Sequence, residues 1–187
     1  MRIAFHAPLK PPDHPVASGE RTMARALIAA LGHVGEVDLI SRFRSLEKAG
    51  EPDRQQALMA EAEAEIERIK RDAVRPGLWV TYHNYYKAPD LLGPVLSRHF
   101  GCPYVQIEST RARSRLSGPW SAFAAAAEAA SDAAALIFYL TEHDAETLVR
   151  DRPEGQRLAH LRPFLPRSDL PPPAPLAEGA PILAAGM

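Results

Sequence analysis

Short apolar runs alternate with long helical stripes along almost the whole chain, and few folds accommodate that rhythm. Runs of four to seven residues at 2–7, 37–40, 78–82, 103–107, 134–140 and 157–161 read as strands. Helical patterns lie between them. Met23, Leu27 and Leu31, with Ala24 and Ile28, make a stripe that Gly32 or Gly35 ends. Ser18 is its N-cap, and Glu20 stands in a first turn that favours an acid. Leu58, Ala62, Ile66, Ile69 and Ala73 line one face of a helix over 52–73, and its charge run is a solvated face. A helix over 89–100 with Pro89 in its first turn, an alanine-rich helix over 119–130 and a helix from Thr141 to about Arg150 complete the set. Thr141 is the expected cap of the last, with Asp144 at its third position. Alternation of this kind demands parallel strands joined by crossover helices, because parallel neighbours cannot be joined by a tight turn. The expected class is therefore α/β, a doubly wound, Rossmann-like parallel sheet over 1–165, with ligands bound at the carboxyl ends of the strands.

Composition narrows the class. The 22 basic and 23 acidic residues give a net charge of -1, which argues against a nucleic-acid partner. Cys102 is the single cysteine, which excludes an internal disulfide framework and a cysteine-based zinc site. The histidines and acids show no metal-ligand spacing, so no metal and no other cofactor is expected. No apolar run approaches the roughly 20 residues of a membrane span. Arg2 leads straight into a strand-like run without a signal-peptide pattern, so a cytoplasmic location is expected. Proline, 18 residues in all, clusters at Pro8–Pro15 and Pro163–Pro181, and both clusters must be loop or linker. The segment 166–181 holds six prolines and reads as a semi-rigid linker. Residues 182–187 read as the first strand of a further, truncated domain.

The common phosphate loops are missing: there is neither G-x-G-x-x-G after the first strand nor G-x-x-x-x-G-K-[ST]. A G-x-S-x-G elbow is missing too, which weighs against an ordinary α/β-hydrolase. Attention falls on the loops that follow strands. Ser18-Gly19-Glu20 reads first as a helix cap. Gly19 also leaves room for a ligand near free amides that suit a diphosphate. His83 follows the third strand, beside Tyr85, Tyr86 and Lys87, a combination that suits carbohydrate and phosphate, although aromatics also pack loops. Glu108 ends the fourth strand and is a candidate acceptor for a sugar hydroxyl. Arg111 and Arg113, with Arg115 beyond, are candidate anion holders or plain solvated charges. Glu128 is expected on an exposed helix edge.

Several of these segments together resemble the N-terminal half of bacterial GT-B glycosyltransferases of the retaining, family-4-like branch. They are Met1–Pro8, the long loop to Ser18-Gly19-Glu20, Met23–Leu27, Leu78–Asp90, Pro103-Tyr104-Val105, the run 134–140 leading to Thr141-Glu142, and Arg162-Pro163-Phe164-Leu165. The resemblance implies transfer of a sugar from a nucleotide-sugar donor to a carbohydrate or glycoconjugate acceptor, with peripheral membrane contact as a further possibility of the class. It implies that Ser18, Gly19 and Glu20 lie near the donor diphosphate and sugar, and that His83 is catalytic, near the donor sugar. It implies acceptor binding at Tyr85, Lys87, Glu108, Arg111 and Arg113. Most of the donor would be held by a C-terminal domain, so this chain alone would be catalytically silent. Ser18-Gly19 departs from the family's usual pair of glycines. The alternative is a non-catalytic α/β binding or interaction module.

Overall fold

A computed structural model describes residues 1–162 and 164. The chain forms β1 (Arg2–His6), α1 (Gly19–Leu31), β2 (Glu36–Leu39), α2 (Pro52–Asp72), β3 (Leu78–Asn84), α3 (Gly93–Phe100), β4 (Tyr104–Ser109), α4 (Ser121–Ala133), β5 (Leu136–Tyr139), α5 (Glu142–Asp151) and β6 (Arg157–His160). Single 3-10 turns at Arg113–Arg115 and Gly118–Trp120 lead into α4. All six strands are parallel, in the order β2-β1-β3-β4-β5-β6. This is the expected doubly wound α/β sheet. The expected linker at 166–181 and the strand at 182–187 lie outside the described residues.

The helices divide unevenly over the two faces. Ala62, Ile66 and Ile69 of α2, Leu96 and Phe100 of α3 and Leu148 of α5 bury one face together with Ala4, Trp79, Tyr104 and Ile137. Ala24 and Leu27 of α1 cover the other, against Ile3, Phe5, Val80, Tyr82 and Ile107. The order of the strands reverses once, between β1 and β3. There the connections leave the sheet in opposite directions, the arrangement that in open α/β sheets places a crevice beyond the strand ends.

Three boundaries near the strand ends differ from the sequence reading, each set by partners remote from the local pattern. The helix expected from Pro89 begins only at Gly93. The carboxyl group of Asp90, 1% exposed, accepts from the amides of Leu92 (3.0 Å) and Gly93 (2.9 Å), so the chain turns where it was expected to coil. The same group accepts from Thr81 Oγ1 (2.5 Å) and Tyr104 Oη (2.6 Å), tying β3, β4 and the start of α3 to one point. Gly93 is needed for this approach: a Cβ there would collide with Asp90 Oδ2 and sit 2.7 Å from the Tyr104 ring. His83 and Asn84, expected in a loop, belong to β3 instead, and β4 runs on through Glu108 to Ser109. They are drawn in by partners remote in sequence, described below.

His6, at the end of β1, is fully buried 3.9 Å from Asp90, and neither ring nitrogen has a hydrogen-bond partner among the described residues. Burial outweighs the charges of Asp90 and Glu65 and lowers its pKa from 6.5. An unfolded His6 therefore takes up its proton first, so stability is intact above 6.5 and falls as the pH drops from there toward the lower folded value. Urea unfolding between pH 7 and 5 should show this loss, and a His6→Leu chain should lack it. Asp90→Ala leaves several buried donors without an acceptor and should cost about 3 kcal/mol or more, read from the urea midpoint at constant slope.

Candidate functional site

The residues that meet at the β1/β3 crevice come from three elements. Ser18 caps α1, its side chain accepting from the Arg21 amide (3.3 Å). The cap fixes the first turn so that Glu20 faces the end of β3. His83 Nδ1 lies 2.9 Å from Glu20 Oε2 and 3.9 Å from Glu108 Oε1. The Tyr82 ring stands edge-on to that of His83 at 5.8 Å.

This grouping rests on an interruption of the strand pattern. Trp79 and Thr81 face the α2–α4 side, and Val80 and Tyr82 face α1. Regular alternation would send His83 to the α4 side and Asn84 to the α1 side. The reverse is found. His83 has φ 65°, Glu108 has φ 59°, and the two stand opposite each other, between the pairs Tyr82↔Ile107 and Asn84↔Ser109. A left-handed backbone at a residue other than glycine costs about 1–2 kcal/mol. Two in register, at a strand end beside a crevice, mark a place where the fold maintains strain. Both side chains are thereby delivered to the α1 side, next to Glu20.

The electrostatics split the two glutamates. Burial opposes ionisation of Glu20, but the hydrogen bond and charge of His83, with Tyr82 and Lys10, outweigh it and hold its carboxyl below the usual range. Burial pushes the Glu108 carboxyl up, and the charges of Glu20 and Asp144 add to that, against the pull of His83. Burial likewise opposes charge on His83, but the hydrogen bond and charge of Glu20, with Glu108 and Asp144, lift its pKa above 6.5. Burial and the two carboxylates raise the Tyr82 hydroxyl far above the phenol range. The result is an imidazolium–carboxylate pair beside a second carboxyl group that holds its proton more readily than an ordinary glutamate. Groups with proton affinities driven apart in this way can exchange protons with a bound hydroxyl.

An aromatic ledge extends from this cluster. Ring centroids run from His83 to Tyr85 (5.0 Å), Tyr86 (5.6 Å) and Trp120 (5.4 Å). Lys87 Nζ sits 5.2 Å from the Trp120 ring and 5.7 Å from that of Tyr86, which also carries the Arg115 guanidinium at 5.3 Å. Neither cation has a carboxylate partner among the described residues. The turn Tyr85–Ala88 holds the ledge, with the Ala88 amide on Tyr85 O at 2.9 Å.

Of the residues singled out in the sequence, Glu20, His83, Glu108 and Tyr85 are brought together, and Lys87 lies along the same ledge. A Cβ on Gly19 would meet nothing within 4 Å, so the space beside it is open. Ser18 uses its hydroxyl on the cap. Arg111 is a correction. Its side chain is 1% exposed and binds Glu128 (2.7 Å) and Asp132 (2.6 Å), so its charge is neutralised inside the protein rather than offered to a ligand. Glu128 is corrected with it: instead of an exposed edge it takes this pairing and also accepts from the Ala112 amide at 2.9 Å. Together they pin the loop after β4 to α4. Arg113 is exposed and reaches Asp151 at 3.4 Å. Arg115, a candidate anion holder, lies against the Tyr86 ring, whereas Tyr82 and Trp120 were not expected at the site. Trp120 is separated from Tyr86 by 34 residues of sequence, and no local pattern announces their contact.

Among the described residues no group of three or more histidines, cysteines or acids could hold a metal ion, and no helix is long and apolar enough to cross a membrane. No protein-family model matches the chain, and no curated protein matches it.

The His83–Glu20 pair has a pH signature opposite to that of His6. With the folded pKa raised, its stabilisation is complete below 6.5 and is lost as the pH rises through the folded value. Histidine side-chain NMR should find His83 titrating above 6.5, and Glu20→Gln should lower that pKa. Thermal melts of the Glu20→Gln chain should lose the decline on the alkaline side. An unchanged His83 titration in that variant would refute the pairing.

Proposed function

We propose that this domain is the acceptor-side half of a nucleotide-sugar-dependent glycosyltransferase. The observation that carries the reading is the Glu20–His83–Glu108 cluster at the one point where the strand order reverses, with an aromatic and cationic ledge leading away from it. Crevices of this kind are where open α/β sheets bind their ligands. Aromatic faces suit the apolar faces of sugar rings, and carboxyl groups and imidazole suit their hydroxyls.

The roles divide by chemistry. Tyr85 and Tyr86 stack the acceptor, and Lys87 and Arg115 hold an anionic group on it. Arg113 stands at the rim. The Gly19 amide, at the start of α1, faces the donor diphosphate. His83, kept charged by Glu20, donates to an oxygen of the donor sugar. The acceptor hydroxyl attacks the anomeric carbon, the bond from that carbon to the diphosphate breaks, and the nucleoside diphosphate leaves. The hydroxyl proton passes to Glu108, whose raised proton affinity suits a base that works near neutrality. The resemblance noted in the sequence points to the same class.

NMR titration of the chain with glucose 6-phosphate, methyl glucoside and UDP-glucose tests this reading. Glucose 6-phosphate should perturb Tyr85, Lys87 and His83 more than methyl glucoside does. UDP-glucose should bind no tighter than about millimolar, roughly -4 kcal/mol, because the donor is gripped chiefly elsewhere. Micromolar UDP-glucose binding, or indifference to all three probes, would overturn it. In an enzyme that carries both halves, His83→Ala should lower turnover by about tenfold or more with the fold unchanged.

A further inference from the structure

The paired left-handed residues need a cause, because neither is a glycine and neither makes a local contact that would hold it there. Asn84 is the residue type that most readily adopts this conformation after glycine, yet the positive φ falls on His83. The side chain of Asn84 explains the displacement. It is fully buried on the α4 side. Its Nδ2 reaches Ala127 O (3.0 Å), Ser131 Oγ (3.0 Å) and Ser109 Oγ (3.2 Å), and its Oδ1 accepts from the Asp90 amide (2.9 Å). Ser109, its neighbour in register on β4, meets the same Ser131 hydroxyl at 2.9 Å. On the α1 side Asn84 would lie among Val80, Tyr82 and Ile107, and its amide would lose these partners. Asn84 and Ser109 are thus both drawn toward one serine of α4. The residue before each, His83 and Glu108, must then turn to the opposite face.

We propose that Asn84 is the positioning residue of the site. Anchored through Ser131 and Ser109, it decides on which face of the sheet His83 and Glu108 project, and so holds the imidazole within reach of Glu20. The proposal rests on this cluster being the functional centre but not on its substrate. It assigns to α4, a helix that contributes no group to the cluster, control over the charge at the crevice.

Histidine side-chain NMR on the chain tests this, with circular dichroism to confirm folding. In Asn84→Ala the His83 pKa should fall to 6.5 or below, and Glu20→Gln added to it should produce no further shift, since the two groups are already apart. Ser131→Ala removes a single hydroxyl in a helix that favours alanine, and it should move the His83 pKa the same way by a smaller amount. If Asn84→Ala does not fold, Ser131→Ala with and without Glu20→Gln carries the test. A merely structural Asn84 would lower the melting temperature and leave the His83 titration, and its dependence on Glu20, as in the parent chain. That result in either folded variant overturns the proposal. Sugar probes that bind while His83 ignores Ser131 and Asn84 would sink this inference and spare the glycosyltransferase reading. The converse would spare this inference alone.

Discussion

Asp90 is the buried point on which the arrangement of this domain depends. A carboxyl group with 1% exposure is expensive to bury unless its lone pairs are filled, and here four donors fill them. Two are side chains of adjacent strands and two are amides at the start of α3. One group thus fixes the spacing of β3 and β4, the point at which α3 begins, and the turn between strand and helix. Its own amide goes to Asn84. The network continues through Ser131 and Ser109 to α4, and through Tyr104 Oη to Gln106 Nε2 at 2.7 Å. Its links from Asp90 to Thr81 and Tyr104, and from Asn84 to Ser109 and Ser131, join separate elements, so the network specifies one packing of two helices on two strands, where apolar contacts alone would admit several.

The crevice is built on the opposite side of the same strands, and its properties follow from that network. Two left-handed residues in register cannot persist unless surrounding contacts outweigh their strain. The hydrogen bonds of Asn84 and Ser109 are those contacts. The strain delivers His83 and Glu108 to a face where Glu20, capped into place by Ser18, is already waiting. Three ionisable groups then share a half-buried space, and their proton affinities separate because only one short ion pair can form. Glu20 takes it at 2.9 Å, and Glu108, a full ångström further from the imidazole, is left with burial as its dominant influence. Arg111, which has a charge suited to neutralising that acid, is instead held by Glu128 and Asp132 against α4. Its withdrawal preserves the asymmetry of the two glutamates.

The chain announces its sheet plainly. Six apolar runs with the right spacing, the stripe Leu58-Ala62-Ile66-Ile69 and the caps Ser18 and Thr141 are local signals; each run became a strand, with ends moved by one or two residues, and the stripe and caps formed as read. His83, Glu20 and Glu108 were legible as candidates because residues after strands gather at one edge of a parallel sheet. What could not be read was any contact decided by tertiary proximity. Nothing near Arg111 says that Glu128 and Asp132, on a later helix, will enclose it. Nothing near Pro89 says that Asp90 will find Thr81 and Tyr104 and so delay α3. His6 looks like the polar end of a strand, and only the packed structure buries it without a hydrogen-bond partner among the described residues.

The most informative discrepancy is a rule that held along the strands and then failed at their ends. Period-two alternation assigns each residue of β3 correctly from Trp79 to Tyr82, and of β4 from Tyr104 to Ile107. It fails at His83 and at Glu108, two positions opposite one another. A random defect in a sheet would be local to one strand and would expose an unpaired group. This one is shared between neighbours, leaves Asn84 and Ser109 fully partnered, and concentrates the frustrated charges at the crevice. Sequences specify structures when local preferences agree with the fold, and they depart from that agreement where function has a competing demand. Here the departure coincides with the reversal in strand order, with the start of α1 and with the split in carboxyl proton affinity. The same anchoring that violates the pattern of the strands therefore gives the domain its chemistry: α4 holds the amide and hydroxyl that would otherwise occupy the crevice, and the crevice receives the imidazole and the acid.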